Sequence, residues 1–403
     1  MCLLVGALSL ALALACPAPA PAQLLGSELP DERAWELVSP PQMLGALIAP
    51  LSEFGAVQAA GDGHAITYLA NVPVEASPPG AANQPQVLST RSGAGWGSRD
   101  IAPPHERAPG VHVGAGAEYR IFSSDLSRAV LQPFGLFNAL LSPDASESTA
   151  YLRTLGACES SCYEPLVTGK SGFANVPPGT AFGEEQLCEP TILFLAPEVI
   201  CGPRYRGASE DLKHIVLNSE TPLSPGAGRE ELYEWSEGAL SEVSLLAANE
   251  KGEELPAPEG RARLGRLPNG GSAANSRRAV SRDGSRVFWE LRGGALYMRD
   301  TSKHRTLQLD RAEAACLAEV KCQSGGGEFQ IASADGSKVY FTDAKRLTKD
   351  AGAELGKPDL YECQIEEAEG EPACRLSDVT PPREGQSADV LGAVLGASED
   401  GSY

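Results

Sequence analysis

Ser281-Arg282-Asp283-Gly284-Ser285-Arg286-Val287-Phe288-Trp289 decides the fold, because this stretch returns along the chain. A second copy, with the same spacing, reads Ser333-Ala334-Asp335-Gly336-Ser337-Lys338-Val339-Tyr340-Phe341. Looser copies begin at Ser123 and Ser209, and a degenerate one begins at Ala60. Repetition on this scale indicates a repeat architecture. The aspartates that anchor the six copies are Asp62, Asp125, Asp211, Asp283, Asp335 and Asp400.

Each copy combines a turn signal with an apolar run. The pair Asp283-Gly284 is typical of a tight turn, since glycine tolerates positive φ and the aspartate accepts hydrogen bonds from nearby backbone. The run Val287-Phe288-Trp289 is apolar at successive positions, which indicates a strand covered on both faces. We therefore predict that the repeated aspartates form turns and are not catalytic. Leu126 and Leu212 replace the glycine in two copies, which predicts another turn type there.

Further strands follow each anchor. Leu-Tyr pairs at Leu232, Leu296 and Leu360 mark a third strand, and a hairpin to a fourth strand closes the unit. The anchors lie 52 to 86 residues apart, which is too irregular for a tight solenoid but suits a propeller with variable loops. We predict an all-β β-propeller over residues 23–403, with five substantially complete four-stranded repeats and the start of a sixth. Residues 155–206 and 249–277 are expected to be loop insertions.

These copies resemble the TolB-like, WD-repeat-like propeller repeat. The chain is also similar to large exported propeller proteins of actinobacteria, which share the opening phrase seen here from Arg33 to Pro40. The resemblance covers roughly residues 31–403 and implies the propeller fold. It implies little about activity, because propellers support many unrelated functions.

The last copy stops at Tyr403, where an apolar strand is expected to begin. We expect a truncated chain, in which Trp35–Val38 would be a strand that completes a missing final blade. The alternative is a five-bladed ring in which the two terminal strands pair locally.

The N-terminal residues predict export. An apolar run from Leu3 to Ala15 precedes Ala20-Pro21-Ala22, which fits a cleavage site, so residues 1–22 are predicted to be a signal peptide. A lipoprotein modified at Cys16 is the alternative. No later stretch is apolar enough to cross a membrane. We therefore expect a secreted or extracytoplasmic protein.

Cysteine usage agrees with export. Of the ten cysteines, eight remain after the signal peptide, and they fall in local pairs. An even count in an exported chain predicts disulfides, with free thiols and then a metal site as alternatives. The sequence does not fix which cysteine joins which; local pairing is the simplest arrangement and would join Cys158 to Cys162, Cys188 to Cys201, Cys316 to Cys322, and Cys363 to Cys374.

Charge and motifs exclude several functions. The net charge of −20 argues against nucleic acid and against anionic lipid. The sequence has no hydrolase nucleophile elbow, zinc-peptidase motif, phosphate-binding loop, dinucleotide fingerprint or calcium loop. We therefore predict no catalytic, cofactor-binding or metal-binding residues and no cofactor. His105 and His112 share one loop and are the weak exception as ligand contacts.

Two functional hypotheses remain. The first is a non-enzymatic, monomeric exported propeller that binds an unknown protein, peptide or glycan, or acts as an envelope scaffold. The second is the N-terminal propeller of a larger enzyme, such as a serine peptidase, whose catalytic domain lies elsewhere. A partner protein of a Tol-like envelope system is a third, weaker possibility.

Overall fold

The structure is a computed structural model. It describes residues 35–48, 57–80, 85–104, 118–133, 140–158, 161–183, 189–193, 196–249, 251–266, 276–318, 322–383, 386–392, 394 and 396–403, with the backbone alone for 189–193 and 196–200. The chain divides into two units, Met1–Val38 and Ser39–Tyr403. In the first unit, Trp35–Val38 form no strand, and the closing strand, which would pair with a further blade, stays a prediction.

The second unit contains five antiparallel four-stranded sheets within the described ranges. In each sheet the strands are neighbours in chain order, so every blade is a simple meander. The first blade contains β1 (Gln58–Ala59), β2 (Ala65–Leu69), β3 (Gln86–Ser92) and β4 (Gly95–Asp100), and the second contains β5 (Tyr119–Phe122), β6 (Arg128–Leu131), β7 (Tyr151–Thr154) and β8 (Tyr163–Pro165).

A two-stranded hairpin of β9 (Glu189–Leu193) and β10 (Ala196–Ile200) precedes the third blade. The third blade contains β11 (Arg204–Ala208), β12 (His214–Ser219), β13 (Glu231–Ser236) and β14 (Ala239–Glu242). The fourth contains β15 (Ala262–Leu264), β16 (Arg286–Leu291), β17 (Leu296–Asp300) and β18 (Arg305–Gln308). The short helix α1 (Ala314–Leu317) precedes the fifth blade, which contains β19 (Glu328–Ala332), β20 (Lys338–Asp343), β21 (Asp359–Ala368) and β22 (Glu371–Asp378). Blade strands β8, β11 and β15 start inside the stretches expected to be insertions, so those stretches are only partly loops.

The second strand of each blade is largely buried, as its unbroken apolar run requires. Val287, Phe288 and Trp289 of β16 have no exposed surface, and the Trp289 ring stacks on Tyr297 of β17 with centroids 4.7 Å apart. The outer strand β14 alternates between exposed and half-buried residues instead. Burial on both faces explains why the inner strands are apolar at successive positions.

Three apolar clusters hold the blades together, and each crosses a blade boundary. One joins Leu88 of the first blade to Phe122 of the second. Another joins Leu152 of the second blade to Ile215 of the third. The largest runs from the third blade through Phe288 to Phe341 of the fifth. Meander blades packed face to face in chain order form a β-propeller, which confirms the predicted all-β class and four-stranded unit.

Candidate functional site

The repeated aspartates lie in turns that lead into the second strand of each blade. Asp283 Oδ1 accepts hydrogen bonds from the Ser281 hydroxyl (2.7 Å) and from the Ser285 N–H (3.0 Å). The Ser281 hydroxyl in turn accepts the Arg286 N–H (3.0 Å). The same three bonds recur around Asp125, Asp211, Asp335 and Asp400. Asp62 keeps the backbone bond, from the His64 N–H (2.9 Å).

These bonds keep the carboxylates ionised. The Ser123 hydroxyl and then the Ser127 N–H lower the pKa of Asp125 to about 2. Burial pushes the pKa of Asp283 upward, but the bonds from Ser281 and Ser285 outweigh it, so the pKa is lowered. A carboxylate whose pKa is lowered has no proton to donate near neutral pH and is only weakly basic. The geometry therefore favours a structural role over acid–base chemistry.

The prediction of a different turn at Leu126 and Leu212 is wrong. Both leucines have φ of +56°, close to the +73° of Gly284. The Leu212 N–H donates to the Ser209 carbonyl (3.1 Å), as the Gly284 N–H donates to that of Ser281 (2.9 Å). The Leu212 side chain is fully buried in the cluster that joins the second and third blades. Burial thus offsets the left-handed strain, which is about 1–2 kcal/mol for a non-glycine residue.

Turns of successive blades are hydrogen-bonded to each other through the residue between the serine and the aspartate. The Ser124 N–H donates to the Glu210 carbonyl (3.1 Å), and the Arg282 N–H donates to that of Ala334 (2.7 Å). The Ala334 N–H donates to the Glu399 carbonyl (2.7 Å), and the Gly61 N–H donates to that of Ser124 (2.8 Å). The repeated motif therefore joins blades to each other as well as strands within a blade.

Side chains reinforce this contact between turns. A Cβ on Gly284 would come within 2.0 Å of the ring of His214 from the preceding blade, so only glycine fits. His214 Nδ1 lies 2.6 Å from Glu234 Oε1, and this hydrogen bond raises the pKa of His214. At the exposed surface, the Arg282 guanidinium pairs with Glu210 (3.0 Å) and Glu399 (3.1 Å), which belong to different repeats.

A groove of about 780 Å³ lies between the second and third blades. It is lined by the outer strand β8, by the loop that follows it, and by the hairpin turn between β13 and β14. The Asn175 side-chain amide fixes the two sides, because it donates to the carbonyls of Leu166 (2.9 Å) and Gly238 (3.0 Å). Sequence reasoning missed this groove, since its walls are far apart in the chain and no motif marks them.

The groove walls carry an exposed aromatic ring and three acidic residues. The Phe173 side chain is 58% exposed, and Asp144, Glu164 and Glu237 all line the groove. No lysine or arginine is among the described residues that line it. Such a concave, aromatic and acidic surface can hold a cationic ligand.

Another group of carboxylates lies at the end of the fifth blade. Burial raises the pKa of Asp343 to about 8, and it raises that of Asp378 to about 6. One oxygen each of Asp343, Asp359 and Asp378 lacks a hydrogen-bond partner. Across the part of the chain that the structure describes, no group of three or more His, Cys, Asp or Glu has the arrangement of a metal site.

The structure contains three of the expected disulfides. Cys158 pairs with Cys162, Cys316 with Cys322, and Cys363 with Cys374, with Cα–Cα distances of 5.5–5.6 Å that are ordinary for disulfides. Cys201 is buried, whereas Cys188, its expected partner, lies outside the described residues. So do His105 and His112 and the predicted signal peptide.

No helix within the described ranges is long and apolar enough to cross a membrane.

Comparison with known proteins identifies no family model and no curated protein that matches this chain. The solved structures that are similar include the following two. The β-propeller domain of the Trilobed protease from Pyrococcus furiosus is 13% identical, with 80% of this chain and 85% of that chain covered and a TM-score of 0.23. An oligogalacturonate lyase in complex with manganese is 10% identical, with 82% and 89% covered and a TM-score of 0.26.

Proposed function

We propose that this protein is an exported, non-enzymatic β-propeller that binds a protein, peptide or glycan, or acts as a scaffold at the cell envelope. The groove between the second and third blades is the observation that supports this proposal. It is concave and contains an exposed aromatic ring, and the Asn175 side chain hydrogen-bonds its two sides together. Its volume falls in the range of roughly 300–1,000 Å³ that is typical of ligand pockets.

Export is supported by the three disulfides, since such bonds persist in oxidising compartments. It is also supported by the resemblance to TolB-like exported propellers. Cleavage after Ala22 would leave Gln23 as the first residue of the secreted protein. N-terminal sequencing of that protein tests the assignment, and a retained leader or a lipid on Cys16 would contradict it.

Binding is tested by screening the exported protein against a random peptide library and a glycan array. The Phe173→Ser variant removes the exposed ring of the groove. Leu355→Ser is the matched control, because Leu355 is 99% exposed and lies outside the groove. We expect ligands that bind the wild type and the control but not Phe173→Ser. The absence of any such ligand would overturn the proposal.

The alternative, a propeller that belongs to a larger enzyme, makes a different prediction. It requires a hydrolase module, such as a Gly-x-Ser-x-Gly motif, encoded beyond residue 403. Reading the coding sequence past this point distinguishes the two hypotheses.

A further inference from the structure

We infer that the groove between the second and third blades recognises an arginine side chain on a short peptide segment. This inference rests on the proposed binding function and names its ligand class. Four features of the groove carry it: its unpaired carboxylates, its exposed aromatic ring, its blocked strand edge and its size.

The groove carboxylates form no ion pair with the described lysines and arginines. No ion pair joins Asp144, Glu164 or Glu237 to any described residue, whereas the exposed Glu366 and Glu371 of the fifth blade pair with arginines. Burial raises the pKa of Glu164, and the charge of Arg128 offsets this only in part, because the Arg128 guanidinium donates to the Asp211 carbonyl (2.6 Å). The groove thus offers carboxylates that form no ion pair within the part of the chain that the structure describes.

The exposed ring of Phe173 favours a planar cation. A guanidinium can stack on an aromatic face while its N–H groups bind a carboxylate, which an ammonium group does less well. Arg153 already makes such a cation–aromatic contact with the neighbouring Tyr163, with its guanidinium carbon 5.0 Å from the ring centroid, although its N–H groups donate to the Ile101 carbonyl and the Tyr119 hydroxyl. Phe173 has no cationic or aromatic partner within the described ranges, so its exposed face is open to a ligand.

The outer edge of β8 is closed to strand addition. The Tyr163 N–H donates to the Ser161 hydroxyl (3.2 Å), and that hydroxyl donates to the Tyr163 carbonyl (3.1 Å). Pro165 has no N–H to offer. A peptide therefore cannot extend this sheet through backbone hydrogen bonds, and recognition has to come from side chains.

The volume of the groove favours a peptide segment over a single amino acid as its ligand. At about 780 Å³ it has the capacity of a drug-sized ligand, which is more than one arginine side chain fills. Flanking residues of a peptide would occupy the rest.

The experiment measures binding of the fluorescein-labelled pentapeptide Gly-Ala-Arg-Ala-Gly and of the same peptide with citrulline, which is neutral but nearly isosteric. We expect the arginine peptide to bind about tenfold more tightly, and its affinity to fall as salt rises. Free arginine amide should compete only weakly. Equal binding of the two peptides, no binding of either at millimolar concentration, or full competition by arginine amide would each overturn the inference.

The matched variants are Glu237→Gln and Glu369→Gln. Both residues precede glycine in a hairpin turn and have similar φ values, +49° and +54°, but only Glu237 lines the groove. We expect Glu237→Gln alone to weaken binding, and an equal effect of Glu369→Gln would overturn the inference. If library peptides without arginine bind in a Phe173-dependent way, the inference fails while the proposed function stands. If no ligand depends on Phe173, both fail.

Discussion

At the scale of single residues, the repeated Ser-x-Asp motif uses its carboxylate as a hydrogen-bond acceptor. The sequence was sufficient to predict a turn at Asp283-Gly284, because the preferences of these two residues are local. It was insufficient at Leu126 and Leu212, because the burial that offsets their positive φ depends on the packing of two blades. Local preference therefore predicts a turn only where tertiary contacts do not compete with it.

Replacing Asp283 by alanine should lower the free energy of unfolding by about 1–2 kcal/mol, because the Ser285 N–H and the Ser281 hydroxyl lose their acceptor. Asp283→Asn keeps the Oδ1 acceptor and should lose less. Urea unfolding measures both changes. Glu313→Gln, an exposed acid outside the turns, is the control.

The pH dependence of Asp283→Asn follows from the lowered pKa of Asp283 in the folded state. The stabilisation is fully present above the unfolded pKa, roughly 3.9, and is lost as pH falls through the lower folded pKa. The difference between wild type and Asp283→Asn should therefore shrink as the solution is acidified below about pH 4. A difference that grows in acid would show that the carboxylate is not stabilised by the turn.

Leu212→Gly tests whether burial outweighs backbone strain. Glycine removes the strain of positive φ but leaves a cavity where a fully buried leucine was, so we expect a net loss of about 2–3 kcal/mol. A stabilised Leu212→Gly protein would contradict the account. Gly284→Ala in the equivalent turn should also destabilise the protein, by about 1–3 kcal/mol, because its Cβ meets the His214 ring.

At the scale of secondary-structure elements, each blade buries its inner strands and exposes its outer one. The apolar run of β16 and the alternation of β14 follow from these positions. The order of four strands was predictable because each has its own local signal. The pair of carboxylates at the end of β20 and the start of β21 was not predictable, since Asp343 and Asp359 are opposite each other only through strand register.

Asp343 should make stability fall as pH rises. Burial raises the pKa of Asp343 in the folded state to about 8, whereas in the unfolded state it is roughly 4. Between these two pH values the folded state holds a proton that the unfolded state has released, so the free energy of unfolding falls as pH rises. Asp343→Asn should flatten this slope and be more stable than wild type at pH 8, by about 1–2 kcal/mol. The measurement is urea unfolding across this pH range. An unchanged slope, equal to that of the exposed control Glu354→Gln, would refute the prediction.

At the scale of the whole molecule, the blades are joined by hydrogen bonds between their turns and by apolar clusters that neighbouring blades share. The propeller class was predictable because repetition shows in the sequence, whereas the groove was not. Its walls include Asp144 of the second blade, Phe173 of the loop that follows this blade, and Glu237 of the third blade, which come together only after folding. The sequence of a repeat protein thus predicts the fold of its repeats more readily than it predicts a binding surface.

The disulfides predict a mass change for the exported protein. If Cys188 pairs with Cys201, as local pairing predicts, reduction should add two hydrogens for each of four bonds, about 8 Da. Intact mass spectrometry with and without reductant measures this. Eight thiols that react with an alkylating agent in the native exported protein would contradict the pairing.

Hydrogen exchange of the turn amides tests the central claim, that the repeated motif hydrogen-bonds one blade to the next. The N–H groups of Ser124, Arg282 and Ala334 donate to the adjacent repeat, so they should exchange as slowly as the buried strands although Ser124 and Arg282 are exposed. Glu237 in its exposed hairpin turn is the internal reference and should exchange fast. Exchange of the three motif amides at the rate of Glu237 would contradict the account.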